Sequence, residues 1–418
     1  MGFQPVSPSI YSPMTSTNTT TPDLSSRIDS VLDELIAIRH DLHAHPELKF
    51  KETRTSAVVQ QHLADLNIPF VTNIGGKEPN TGTGVVAHIP ATVENPDSCI
   101  GLRADMDALP ITEISDNPYK STKEGTMHAC GHDGHTAILL GVAKILSQLD
   151  HRPNPVTLVF QPAEEGGAGA EKLIRDGALD GLIGPPITQM FGLHGWPAEP
   201  LGTVATRPGP LLAAADMFTI TVHGTQAHAA YPHLGVDPIV ASAQIITAVQ
   251  TIASRTTKPT DSVVVSISTI HAGTAHNIIP PAVQMTGTVR TLSDESRKLT
   301  NKRLREIVES TAVALGCTAQ IDWIPGYPVT MNDPGQACHV LEIAQNAEHC
   351  TRTHLVEDPT LGGEDFSFYA QKVPSCFYFI GLANDENTPF PGLHTPSFDF
   401  NDQTIPLGVE MMCRLALS

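Results

Sequence analysis

The chain has 418 residues, which is more than one hydrophobic core usually fills, so we expect two domains. It carries 44 acidic side chains against 25 lysines and arginines, a formal net charge of −19. An acidic surface repels a phosphate backbone, which argues against a nucleic-acid partner. The seven cysteines show no regular spacing and favour free thiols over a disulfide framework.

The start of the chain has no targeting pattern. Residues 1–23 are rich in Ser, Thr and Pro, so we expect a disordered leading segment. No basic start followed by an apolar core indicates a secretion signal, and no run of 18 apolar residues indicates a membrane span. We therefore expect a cytoplasmic protein with no membrane partner.

An amphipathic helix is predicted over Asp23–Leu42, where apolar residues recur at helical spacing. Short apolar runs at 83–89, 99–106, 156–163 and 187–194 then alternate with helical patterns. This alternation predicts an α/β domain with a mainly parallel sheet. Polar side chains follow the runs, at the sheet edge where open α/β sheets bind ligands: Asp105, Asp107, Glu164, Glu165 and His194.

The pattern changes between residues 207 and 322. Alternating runs at 218–224, 262–270 and 283–291 are interleaved with helical stretches at 237–254 and 294–315. This order predicts a ferredoxin-like α+β unit with an antiparallel sheet. Because an apolar strand returns at 374–382, we predict an inserted lid domain at 207–322 within a catalytic domain formed by 24–206 and 323–418.

The stretch HACGHDGHTAILLG, residues 128–141, places Cys130 and His132 on a loop before a predicted helix. Thiolate and imidazole ligands, together with carboxylates and the distant His194 and His394, suit a transition-metal site. An alternative makes Cys130 a nucleophile activated by His132 or His135. We expect packing and helix capping, rather than metal binding, from three earlier histidines: His40, His43 and His45.

The adjacent pair Glu164–Glu165 follows the apolar run VFQPA. Neighbouring side chains at a strand end point to opposite faces, so the two carboxylates are expected to differ in role. One would bind metal and the other would act as a base that activates water. The alternative is two solvated acids at the start of a glycine-rich loop.

Ten segments together resemble the M20 metallopeptidase family, in the amidohydrolase branch that contains hippurate hydrolases, N-acyl-amino-acid amidohydrolases and auxin-conjugate hydrolases. They occur in the order of that family from residue 39 into the 390s. The segments are RHDLHAHPEL, RADMDALPI, HACGHDGHTAILLG, FQPAEEGGAGA, LHGWP, HAAYPHLGVDP, GTAHNIIP, GTVRT, GGEDFSFY and LHTPSFDFND.

The resemblance implies two divalent metal ions, zinc or manganese with cobalt or nickel also compatible, and a lid that forms a homodimer. It implies five metal ligands: Cys130, His132, Glu165, His194 and His394. Glu164 matches the general base, and Asp107 matches an aspartate that orients a ligand histidine. In the lid, His228 and Asn277 match residues that close over the substrate, and Arg290 is placed to bind the substrate carboxylate.

The implied reaction cleaves the amide bond of an N-acyl amino acid to a carboxylic acid and an amino acid. A di-metal aminopeptidase or dipeptidase is an alternative, although those branches usually carry Asp at the position of Cys130. A non-catalytic metal-containing binding protein would not need Glu164. Two departures, Lys49 in place of Gly and TQAHAA before His228, are not expected to touch a metal ligand.

Overall fold

The computed structural model describes residues 23–418 except residues 95, 97 and 386–388. The predicted disordered lead, 1–23, therefore lies outside the described residues apart from Asp23. The Asp23 carboxylate accepts the N–H of Ser26 and caps the first helix. Among the described residues, no helix is long and apolar enough to cross a membrane.

The described residues contain ten α-helical segments and sixteen strands. The helices are α1 (Leu24–Ala44), α2 (Thr53–Asp65), α3 (His132–Ser147), α4 (Glu164–Gly167), α5 (Gly169–Arg175), α6 (Pro238–Val249), α7 (Asp294–Ala314), α8 (Pro334–Gln345), α9 (Ser367–Ala370) and α10 (Ile405–Leu417). The strands are β1 (Phe70–Ile74), β2 (Gly84–Ile89), β3 (Ile100–Asp105), β4 (Val156–Gln161), β5 (Gln189–Pro200), β6 (Thr203–Thr206), β7 (Gly209–Leu212), β8 (Ala214–His223), β9 (Ala227–His228), β10 (Val263–Ala272), β11 (Ile278–Ile279), β12 (Ala282–Thr291), β13 (Thr318–Tyr327), β14 (Thr330–Asn332), β15 (Arg352–Leu355) and β16 (Ser375–Ala383).

An eight-stranded sheet has the order β1-β2-β4-β3-β5-β16-β6-β15. Its centre, β4-β3-β5-β16, is parallel, whereas β2 and β6 run antiparallel to their central neighbours. Leu102 and Leu158 belong to one core cluster and Val159 and Phe377 to another, so the sheet is buried on both faces. The predicted α/β domain with a mainly parallel sheet is confirmed.

The inserted unit contains a four-stranded antiparallel sheet of order β10-β12-β8-β13, with α6 and α7 packed against it. In chain order this is strand, helix, two strands, helix and strand, as the ferredoxin-like prediction requires. Its last strand runs to Tyr327, past the predicted boundary at 322. The helix predicted over 237–254 is interrupted, because α6 ends at Val249 and a π-helical turn follows at Ile252–Thr256.

The sheet brings chemically active residues to one edge. Strand β3 ends at Asp105 and β4 ends at Gln161, just before the Glu164–Glu165 pair. The expectation that His194 ends its strand is wrong, since β5 continues to Pro200. Pairing with β16 sustains this extension, because Ala383 is still in register with Pro200.

Candidate metal centre

Cys130 and His132 lie on either side of a glycine turn at the start of α3. Gly131 has φ +90°, a conformation that L side chains rarely adopt, so this turn favours glycine. The Cys130 Sγ atom and one ring nitrogen from each of His132 and His194 lie within 4.8 Å of one another, and all three residues are buried.

Glu165 and His394 complete the predicted set. Cys130, Glu165 and His394 each place one ligand atom within 4.8 Å of the others. His394 is held by its backbone, which has φ +60° and donates an N–H hydrogen bond of 2.8 Å to the carbonyl of Ala129. The five residues predicted as metal ligands therefore converge, with Cys130 shared by two groups.

The histidine rings have defined orientations. His132 Nδ1 donates to the carbonyl of Asp107 at 2.8 Å, and His194 Nδ1 donates to the carbonyl of Gly195 at 2.8 Å. A neutral ring in this orientation presents the lone pair of Nε2 to the site, and His194 Nε2 lies 3.3 Å from Cys130 Sγ. Within the described part of the chain, His132 Nε2 is buried without a hydrogen-bond partner, and Asp105 Oδ2 lies 3.5 Å away. Glu165 Oε1 lies 3.1 Å from His394 Nε2, and a Glu165 carboxylate oxygen lies within 4.8 Å of a His132 ring nitrogen. An unpartnered buried nitrogen is rare, and a cation bound between these side chains would satisfy it, so these residues fit a metal site.

Two carboxylates fix the backbone of the glutamate pair. Asp107 accepts the N–H of Glu164 at 2.9 Å through Oδ1 and the N–H of Glu165 at 3.0 Å through Oδ2. Glu52 accepts the N–H of Ala163 at 2.9 Å, where the backbone is left-handed with φ +55°. Glu52 was not among the predicted site residues; the signal in the sequence was an acid at the end of HPELKFKE, residues 45–52.

A fully buried arginine links the site to a second acidic pair. Arg103 donates to Asp105 at 2.7 Å, to Glu364 at 2.9 Å and to Asp365 at 3.1 Å. Glu164 reaches this pair as well, since its Oε1 accepts the N–H of Asp365 at 3.4 Å. Arg103 and Glu364 were not among the predicted site residues. The sequence held two signals for them: Arg103 is a charge within a predicted buried strand, and Glu364 belongs to the acidic pair in GGEDFSFY.

His135 is fully engaged elsewhere. Its Nδ1 donates to Asp105 at 2.7 Å, and its Nε2 accepts the N–H of Gly195 at 2.9 Å. Neither nitrogen is free to bind a metal or to take a proton from Cys130. The geometry therefore argues against His135 as the base in the nucleophilic alternative.

The electrostatics favour a bound cation. Burial, followed by Glu364 and Glu165, raises the pKa of Glu164 well above its usual value. Burial lowers the pKa of His132, but Asp105 and Asp107 outweigh it and raise that pKa to about 10. Burial and the two glutamates also raise the pKa of Cys130 well above normal, the opposite of an activated thiolate. Such an excess of negative charge favours a divalent cation.

One cavity of about 450 Å³ adjoins the cluster and reaches the lid. Its lining includes Cys130, Glu164, Glu165 and His394 from the large unit and Arg290 from β12. His228 and Asn277 do not line it: both are exposed, and they lie beside each other where Ala229 donates to the carbonyl of Asn277 at 2.9 Å. The structure thus brings Arg290 to the candidate centre and leaves His228 and Asn277 on the lid surface.

A family model described as peptidase family M20/M25/M40 matches residues 101–418. The chain belongs to this family. It is 37% identical over 384 residues to an N-acetylcysteine deacetylase of Bacillus subtilis, covering 92% of this chain and 96% of that protein. It is 37% identical to an Arabidopsis thaliana protein named IAA-amino acid hydrolase ILR1-like 4, covering 92% of this chain and 85% of that protein.

A solved structure supports the same assignment. It is the Bacillus subtilis YXEP protein, described as a dinuclear metal binding peptidase from the M20 family. It shares 34% identity with this chain at a TM-score of 0.78, covering 93% of this chain and 98% of that one. The predicted family and the prediction of a metal-dependent hydrolase are confirmed.

The three early histidines of this M20 chain pack against neighbouring residues or cap a helix. His40 stacks on Tyr119 with ring centroids 3.6 Å apart, and His45 caps the C-terminal end of α1. His43 contacts Asp133, whose carboxylate also pairs with the buried Arg39 at 3.0 Å. The expectation of packing and capping is confirmed.

The expectation for Lys49 is wrong. Its Nζ donates a 2.6 Å hydrogen bond to the backbone carbonyl of Glu165, a candidate metal ligand. This contact crosses 116 positions of sequence, which is why the spacing of HPELKFKE could not reveal it.

Proposed function

We propose that this M20 hydrolase cleaves the amide bond of N-acyl amino acids to a carboxylic acid and an amino acid. One observation supports it above the others: Glu164, four of the five converging ligand residues and Arg290 line a single cavity, with His132 buried behind it. A base, a metal site and a guanidinium in one cavity suit a substrate with a free carboxylate close to a scissile amide.

Cys130, His132, Glu165, His194 and His394 would hold two divalent ions, because five ligands exceed one tetrahedral shell. A donor set of thiolate, imidazole and carboxylate suits zinc or manganese, and cobalt or nickel are also compatible. When bound, such ions polarise the scissile carbonyl and lower the pKa of a coordinated water.

Glu164 would take a proton from the attacking water and deliver it to the leaving amine nitrogen. Its buried carboxylate, with a pKa raised above the usual range, suits a group that must hold a proton between two steps. Asp107 keeps the glutamate pair in place through its two N–H contacts. Arg290 would pair with the substrate carboxylate and align the amide with Glu164.

His228 and Asn277 can reach the cavity only by closure of the lid or from a second subunit. The second route is our proposal: a homodimer formed through the lids, in which the partner subunit's His228 stabilises the oxyanion. Exposed apolar side chains on the lid support such an interface, among them Val240 at 52% and Ile270 at 50% exposure.

The acidic chain gives no support for a nucleic-acid partner. All seven cysteines are free, as expected in a reducing compartment, and we propose a cytoplasmic location.

Purified protein loaded with zinc or manganese would be assayed on hippurate and on the dipeptide Leu-Gly. We expect hydrolysis of hippurate and little turnover of Leu-Gly. Preferential cleavage of Leu-Gly would favour a di-metal dipeptidase, and metal binding without hydrolysis of any N-acyl amino acid would favour a binding protein.

A further inference from the structure

A second cavity, of about 640 Å³, lies beside the candidate metal centre. We call it the lysine cavity, because its lining includes Lys49, Lys51 and Lys77. It shares Glu165 with the metal-centre cavity but does not include Arg290. Glu165 is therefore a wall shared by the two cavities, and only one of them contains the guanidinium proposed for the amino-acid carboxylate.

The lining of the lysine cavity contains three lysines and one acid, Glu165. Among the described residues, none of the three ammonium groups lies within 4 Å of a carboxylate, although other lysines such as Lys144 do pair. Lys49 contacts only a backbone carbonyl, and Lys77 Nζ lies 5.5 Å from the centroid of the Phe50 ring. In a chain with 44 acidic and 25 basic residues, three unpaired lysines around one cavity favour an anionic ligand.

We propose that the lysine cavity binds a carboxylate at the far end of the acyl group, so that the preferred substrates are N-acyl amino acids with a dicarboxylic acyl group. This inference rests on the proposed function. The amino-acid carboxylate would pair with Arg290, the scissile amide would lie at Glu164, and the acyl chain would pass Glu165 into the lysine cavity. The Phe50 ring offers apolar surface for the methylene groups of that chain.

The test compares N-succinyl and N-butanoyl derivatives of one amino acid, which have acyl chains of equal length and differ in the terminal carboxylate. The main variant is Lys51→Ala with Lys77→Ala; Lys49 is kept because it contacts Glu165. Exposed ion pairs contribute little individually, so we expect kcat/KM for the succinyl substrate to fall about tenfold. The butanoyl rate should stay within about twofold, since no charge is lost there. Lys258→Ala, an exposed lysine of the lid, is the matched control.

A charge-reversed variant gives a second readout. Lys51→Glu with Lys77→Glu should turn the preference toward a 4-aminobutanoyl substrate, whose acyl chain ends in an ammonium group. If the lysine variants lose the same fraction of kcat/KM on the succinyl and butanoyl substrates, the lysines are structural and the subsite is overturned. Variants that keep the parental rates on both substrates would also overturn it.

The source of the anion is tested with N-butanoylglutamate and N-butanoylglutamine. If Lys51→Ala with Lys77→Ala lowers kcat/KM for N-butanoylglutamate but not for N-butanoylglutamine, the lysines bind the amino-acid side chain. That result would overturn the acyl assignment. If the parent protein hydrolyses none of these substrates, the proposed function fails and the subsite falls with it. Hydrolysis without discrimination overturns the subsite alone.

Discussion

Glu164 and Glu165 are neighbours in sequence with different surroundings. The buried Glu164 carboxylate accepts the N–H of Asp365. Glu165 instead has a carboxylate oxygen within 4.8 Å of ligand atoms of Cys130 and His394. One carboxylate oxygen of each also lies within 4.8 Å of a His132 ring nitrogen. Both therefore face the cluster, but only Glu165 bridges toward Cys130 and His394.

This difference predicts distinct effects of two isosteric substitutions. Glu164→Gln removes the base and should lower kcat by about 10² to 10⁴ while metal content stays near that of the parent. Glu165→Gln removes a ligand and should lower metal content. Activity and metal analysis of both variants check this, and identical behaviour would contradict the assigned roles.

The position of Arg290 in the metal-centre cavity predicts that a good substrate must carry a free carboxylate. Amidation of that carboxylate removes the bidentate partner, so kcat/KM should fall by about 10 to 10³. In Arg290→Ala the difference between acid and amide should disappear. Equal rates on acid and amide in the parent would show that Arg290 does not bind the carboxylate.

The residues that carry local motifs could be predicted from sequence, and those defined by distant partners could not. Cys130 and His132 stand two positions apart, and their mixture of donors indicates a metal. Arg103 meets Glu364 across 261 positions, so its role depends on tertiary structure. His135 has the same local setting as His132, and only the contacts with Asp105 and Gly195 exclude it.

At the scale of elements, α10 is joined to the segment after α8 by one buried carboxylate. Glu410 accepts the N–H groups of Glu348 at 2.8 Å and His349 at 2.9 Å, and it also contacts the His349 ring and Arg414. Burial raises the pKa of Glu410, but the hydrogen bonds from His349, Glu348 and Arg414 outweigh it and lower that pKa to about 2.

Glu410→Gln should therefore destabilise the protein by about 1 to 3 kcal/mol at pH 7. Because the folded pKa is depressed, this contribution is present above the ordinary carboxyl range and is lost as pH falls toward 2. The difference between parent and variant in urea unfolding should shrink between about pH 5 and pH 3. Glu342→Gln, an exposed acid on α8, is the control. A difference that is constant with pH would contradict the role of Glu410.

Central strands were predictable because each is a mainly apolar run, and the sheet they form is buried on both faces. The two short strands at one end of the sheet were not: β6 and the edge strand β15 have four residues each, and their pairing depends on distant partners. The length of β5 could not be predicted from sequence either, because pairing with β16 decides where β5 ends.

At the scale of the molecule, the metal-centre cavity takes residues from both units, while His228 remains exposed on the lid. A lid-to-lid dimer predicts complementation between inactive variants. His228→Ala should lower kcat by about 10² to 10³ with metal content retained. Mixed with Glu164→Gln, it should recover up to about a quarter of parental activity, the share for one restored site in half of the dimers.

Subunit exchange would be shown separately with differently tagged chains. Recovery should rise and fall with the fraction of mixed dimers. No recovery despite exchange would place His228 in its own subunit's site or outside catalysis.

The most direct test of the account is removal and return of metal, with hydrolysis of an N-acyl amino acid as the readout. Protein stripped by a chelator should be inactive, and about two equivalents of zinc, manganese or cobalt per chain should restore activity. The same additions should not restore Glu165→Gln, which lacks a ligand. Full activity in protein shown by elemental analysis to be metal-free would contradict the central claim.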